Sequence, residues 1–202
     1  MISVMDRTAA LEDLLVNHLV GGWQQDFVAI NERYLMNKER IDRILASAFE
    51  EACCRAEKLQ KQGRKGEIHY IHFSYLRTSF MEQRAEYRID LYDADWYMDR
   101  EECCSLWPAE FLFKPVFERQ RELEKHRVQY ARKITAMDIE HIIHQEAMKY
   151  HLLAIEYIRD RVPVLIESEG YAAMKKSEDL IILAGEFRDQ HELLYPDSGS
   201  DE

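Results

Sequence analysis

The chain has 202 residues, 47% of them hydrophobic and 32% charged, and a formal net charge of −11. Such a length and composition exclude a disordered or fibrous protein, and no apolar run approaches the ~20 residues that span a bilayer. The acidic balance argues against nucleic acid or an anionic membrane as a partner, because both attract basic surfaces.

The charge is unevenly placed. From residue 161 onward ten acids stand against four bases, a net of −6, whereas 114–133 hold seven bases against three acids. The opening residues show neither the basic nor the apolar stretch of a secretory signal, so a cytoplasmic location is expected. The four cysteines form adjacent pairs, Cys53-Cys54 and Cys103-Cys104. That spacing suits neither a disulfide framework nor zinc ligation, and it points to reduced thiols, at most one of each pair joining a given core face.

In chain order, Ser3 and Asp6 resemble a helix start, and Leu11, Leu14, Leu15 and Leu19 recur at helical spacing until Gly21-Gly22. Trp23, Phe27, Ile30 and Tyr34 predict a second, short helix with an aromatic core stripe. Asn37 then suits the N-cap of a third helix whose apolar face runs from Ile41 through Ala48, Ala52 and Ala56 to Leu59. The small alanines would let another helix approach closely.

Residues 67–97 change period from helical to two. In the second arm Ala85, Tyr87, Ile89 and Leu91 fall on one face and Glu86, Arg88, Asp90 and Tyr92 on the other. The first arm, 68–77, places Ile71, Phe73 and Tyr75 opposite Tyr70 and Leu76, and together the arms read as a β-hairpin. A loop with interleaved acids and aromatics follows, containing Asp93, Asp95, Trp96, Tyr97 and Asp99. Its three aspartates match the first, third and seventh EF-hand positions, but Met98 and Cys104 stand where glycine and glutamate are needed, so no calcium site is expected.

Trp107-Pro108 reads as a helix start that Pro115 breaks, ahead of a sparse, basic helix over 116–134. Another helix is predicted over 138–158, ended by Val162-Pro163. For 177–195 the spacing of Leu180, Leu183, Ala184, Phe187, His191 and Leu194 favours helix, with a strand at 180–187 or 162–166 as the alternative. The expected fold is therefore α+β: a single, mostly helical domain over 1–195, about six helices around one antiparallel hairpin, and a flexible acidic tail over 196–202.

Chemistry-bearing clusters are few. His141, His144 and His151 fall within roughly an 80° arc of one helix, yet no Glu-x-x-His completes a dimetal site, and neither a metal nor a cofactor is expected. There is no phosphate loop, nucleophile elbow or dinucleotide fingerprint. Arg119, Arg121, Lys125, Arg127, Arg132 and Lys133 offer a basic face, which ranks below two other readings. The first is a non-catalytic interaction protein, an inhibitor, immunity-type partner or regulatory subunit, that binds a basic protein. Asp93, Asp95 and Asp99 would steer the partner and Trp96 and Tyr97 anchor it. The alternative is a metal-dependent hydrolase built on Asp90, Asp93 and Asp95 with His69 or His72.

Overall fold

The computed structural model describes residues 5–19 and 21–196. Ser3 and, from residue 197 on, the expected tail lie outside the described residues. The chain divides into two compact units, Met1–Asn37 with Phe111–Leu152 and Lys38–Glu110 with Leu153–Glu202. No helix among the described residues is long and apolar enough to cross a membrane.

In the first unit, helix α1 (Arg7–His18) starts at Asp6, whose carboxylate accepts from the Ala9 amide at 2.8 Å and fills one of the orphaned donors of the first turn. Gly21, at φ 86, then turns the chain into α2 (Gly22–Lys61). The two helices expected on either side of Asn37 meet at a kink inside α2, where Asn37 takes the non-helical angles φ −128 and ψ 20. Instead of capping from its own side chain, Asn37 donates to the Arg33 carbonyl at 3.0 Å. Inside this unit Arg119 donates to Asp26 and, at 3.1 Å, to the Tyr150 hydroxyl, while Phe27 and Phe113 pack their rings on Tyr150.

Two prolines expected to break helices lie within them: Pro115 in α4 (Glu110–Arg127) and Pro163 in α5 (Ala136–Leu165). Each proline forgoes one amide hydrogen bond, and burial of the surrounding apolar residues, Leu112, Phe113, Val116 and Phe117 about Pro115 and Val162 and Leu165 about Pro163, carries the helix through.

The second unit corrects the expected architecture. The sheet is not a two-stranded hairpin but five strands of mixed direction, in the order β3-β2-β1-β4-β5. Strands β1 (Ile68–Tyr75) and β2 (Glu86–Tyr92) pair antiparallel as the period-two pattern required, and a five-residue helix α3 (Arg77–Met81) joins them. Strand β3 (Cys104–Pro108) occupies the stretch read as a helix start, where alternation of Cys103, Ser105 and Trp107 inward was hidden by the proline. The five-residue helix α6 (Glu169–Ala173) precedes β4 (Lys176–Glu186), and β4 and β5 (His191–Tyr195) replace the helix expected over 177–195. Strand β4 lies parallel to β1, with Phe73 opposite Ala184. The alternative strand at 180–187 is thus present, whereas 162–166 belongs to the end of α5 and its continuation.

One sheet face carries Ile71, Phe73, Tyr75, Tyr87, Ile89 and Trp107, all buried. Phe49 of α2 stacks on Phe73 at 6.1 Å, and Tyr157 of α5 on Trp107 at 5.6 Å. The small alanines of α2 admit a strand rather than a helix: Ser105 donates to the Ala48 carbonyl at 2.6 Å and the Cys103 thiol to that of Ala52 at 3.5 Å.

Gly185 is set by the β4–β5 turn. A β-carbon there would stand 2.2 Å from the Gln190 carbonyl oxygen and 2.5 Å from the His191 α-carbon, both backbone atoms. Gly185→Ala is expected to cost about 2 kcal/mol, because β5 is a short edge strand that can release its pairing before the core yields. Hydrogen exchange should show the β5 amides losing protection ahead of β1; retained protection throughout β5 would contradict this.

Candidate functional site

The face of the sheet away from Phe49 and Tyr157 presents Tyr70, His72 and Ser74 from β1 beside Arg88, Asp90 and Tyr92 from β2. Two connections close over it: residues 93–103 between β2 and β3, and the turn 187–190 between β4 and β5.

The first connection is organised around Asp99. Its carboxylate accepts from the Asp93 and Glu101 amides, both at 3.0 Å, and from the Lys65 ammonium, which also donates to the Glu101 carbonyl at 3.0 Å. The pair is enclosed, the Lys65 and Asp99 side chains being 0% and 3% exposed. Burial raises the pKa of Asp99, but hydrogen bonds from Lys65 and the two amides outweigh it and hold the carboxyl below its ordinary value. Asp93 accepts from the Asp95 amide at 2.9 Å, turning the chain, and Asp95 is exposed.

Inside this frame Trp96 adopts φ 56, the left-handed region that a bulky side chain rarely enters. Its ring meets Tyr70 edge-on at 4.0 Å, Tyr97 at 4.7 Å and Tyr92 at 5.5 Å. Beneath it lies His72, 0% exposed and stacked 6.2 Å from Trp96, with the His191 ring at 5.7 Å. The His72 Nδ1 atom is 3.2 Å from the Ser74 hydroxyl and 3.4 Å from that of Tyr97, while Nε2 is buried with no hydrogen-bond partner. Burial first, and His191 second, push its pKa down to about 4, so the ring is neutral at neutral pH.

Asp90, opposite His72 across the ladder, is held by the Arg88 Nε at 2.7 and 2.9 Å. Burial raises the Asp90 pKa, and Arg88 only partly opposes it. Arg88 also pairs with Glu102 at 2.9 Å and lies over the Phe187 ring. Arg188 of the turn sits over both Tyr97 and Phe187.

The structure thus gathers Asp93, Asp95, Trp96 and Tyr97 at one loop and gives Asp99 an internal role in holding it. His69 falls at a register irregularity between Ile68 and Tyr70. Elsewhere, Cys53 and Cys103 are buried while Cys54 is exposed and Cys104 half-buried, the split that adjacent cysteines require. His151 is buried and His141 lies 3.1 Å from the Gln145 amide; no three His, Cys, Asp or Glu among the described residues form a metal-holding group. In the basic run Arg119 serves the Asp26 and Tyr150 cluster, Lys125 pairs with Glu122, Arg127 pairs with Glu124, and Lys133 donates to the Met5 carbonyl.

Sequence reasoning missed Lys65, read only as part of a helix-ending cation run, and Arg188 and His191, and it placed Phe187, an aromatic beside the acid-rich end of the chain, on a helix rather than at a strand end. The alternation of Tyr70, His72 and Ser74 against Arg88, Asp90 and Tyr92 was a usable signal for the polar face. No known protein family, curated protein or solved structure matches the chain.

Proposed function

We propose that this is a non-catalytic interaction protein of the inhibitor, immunity-type or regulatory-subunit kind, which receives a basic protein on the sheet face bearing Trp96 and Tyr97. The observation that carries this reading is Trp96 at φ 56. For a residue other than glycine the left-handed conformation costs roughly 1–2 kcal/mol, and it persists only where surrounding bonds over-determine it. Here the Asp99 hub supplies those bonds, and the result is a fixed aromatic patch with Asp93 and Asp95 at its edge. Rigid aromatic side chains lose little entropy on binding, and carboxylates beside them raise the encounter rate with a cation-bearing surface.

A metal-dependent hydrolase is the weaker reading. It needs Asp90, Asp93, Asp95 and His72 to share one cation, whereas Arg88 grips the Asp90 carboxylate and Asp93 ties its own loop.

The test begins with a partner captured from native cells at low salt and continues with stopped-flow kinetics. Asp93→Asn with Asp95→Asn is expected to slow association about threefold to tenfold and flatten its salt dependence. Association indifferent to both changes, or no partner captured at low salt, would remove this reading.

A further inference from the structure

The turn between β4 and β5 holds Arg188 at φ 58, like Trp96 a non-glycine residue in the left-handed region, and points its guanidinium at two rings. The Arg188 Cζ lies 5.5 Å from the centre of the Tyr97 ring and 5.2 Å from that of Phe187. The carboxylates nearby serve other arginines: Glu186 and Asp189 pair with Arg77, and Asp90 and Glu102 with Arg88. Among the described residues Arg188 forms no ion pair. Phe187 is 38% exposed although it is a large apolar ring.

Resting on the interaction reading above, we infer that the Tyr97 and Phe187 rings form a guanidinium-binding subsite, occupied in the unbound protein by Arg188 and taken over by an arginine of the basic partner. The chain's own residue displays the chemistry of the ligand. A flat, weakly hydrated guanidinium covers two aromatic faces at once, which a compact, strongly hydrated ammonium does not. Swinging Arg188 outward uncovers both rings and takes its positive charge away from the Tyr97 face. The incoming arginine therefore meets a more negative surface than the resting one.

The test is calorimetric titration of the full chain with a hexa-arginine peptide at low ionic strength. Arg188→Gln is expected to tighten binding about fivefold over the wild type, the scale of an exposed cation–ring contact. Arg188→Gly, which also removes the backbone strain, is expected to match it. Arg43→Gln makes the same charge change on an exposed residue of α2 and is expected to leave affinity unchanged. Adding Tyr97→Leu to Arg188→Gln is expected to abolish the gain, and a hexa-lysine peptide to gain less than twofold. The inference is overturned when Arg188→Gln binds no tighter than Arg43→Gln, when the gain survives loss of Tyr97, or when neither Arg188 variant binds the peptide. The wider reading fails separately, through indifference of the captured partner to Asp93→Asn and Asp95→Asn.

Discussion

Lys65→Met is expected to lower the unfolding free energy by about 3–5 kcal/mol, the loss that follows when one member of a buried ion pair is removed and the other stays enclosed without its counter-charge. Lys65 and Asp99 are 0% and 3% exposed in their side chains, so solvent screening does not discount the pair as it would on the surface. The methionine fills the volume of the lysine stem, which separates the charge effect from a cavity effect. Urea unfolding of the variant measures the loss. Adding Asp99→Asn is expected to restore only part of it, because Asp99 also accepts from the Asp93 and Glu101 amides through different oxygens and an asparagine offers one acceptor. The same double variant is expected to weaken partner binding, since the Trp96 conformation depends on those bonds. A loss below about 1 kcal/mol, the range of exposed pairs, would show that the pair is solvated and the loop held by other means.

The legible part of the fold was the part whose signal is local. Alternation of Ala85, Tyr87, Ile89 and Leu91 placed β2 with its buried face correct, because a period of two is unambiguous when one face is polar. Strand β4 failed that test for a physical reason. It pairs on both sides within the sheet, and Leu180, Ile182, Leu183, Ala184 and Gly185 are all buried, so its pattern is a continuous apolar run that fits helix spacing equally well. Its parallel partner β1 lies about a hundred residues earlier, and no local pattern announces such a pairing. The candidate site divided in the same way. Asp93, Asp95, Trp96 and Tyr97 are contiguous and stood out by composition, whereas Arg188 reaches Tyr97 only through the pairing of β4 with β1. Asp99 illustrates the opposite limit: its spacing marked it as an exposed acid, and the Lys65 ammonium that encloses it comes from the turn after α2.

Acidification from pH 7 to pH 4 is expected to remove roughly 3 kcal/mol of stability through His72 alone, given an ordinary histidine value of 6.5 and a folded value of about 4. The sign follows from proton binding. Between the two values the unfolded chain takes up a proton that the folded chain refuses, so stability is complete above about 6.5 and declines until about 4. Burial is the main cause, since His72 is 0% exposed under Trp96, and an approaching charge on His191 adds to it. Asp99 acts in a lower window, because its depressed carboxyl loses its stabilising charge only below the normal aspartate range. Asp90, raised by burial, works in the opposite direction at the acid end, and comparing two chains that both contain it cancels its effect. The comparison is His72→Phe, which keeps a flat ring under Trp96 and abolishes the titration. The variant is expected to be less stable at pH 7, because Ser74 and Tyr97 lose a hydrogen-bond partner, yet its stability should change little between pH 7 and pH 5 where the wild type falls. Urea midpoints across that range decide the matter: parallel curves for the two proteins would place His72 in contact with water and sink the account of a sealed histidine beneath the Trp96 loop.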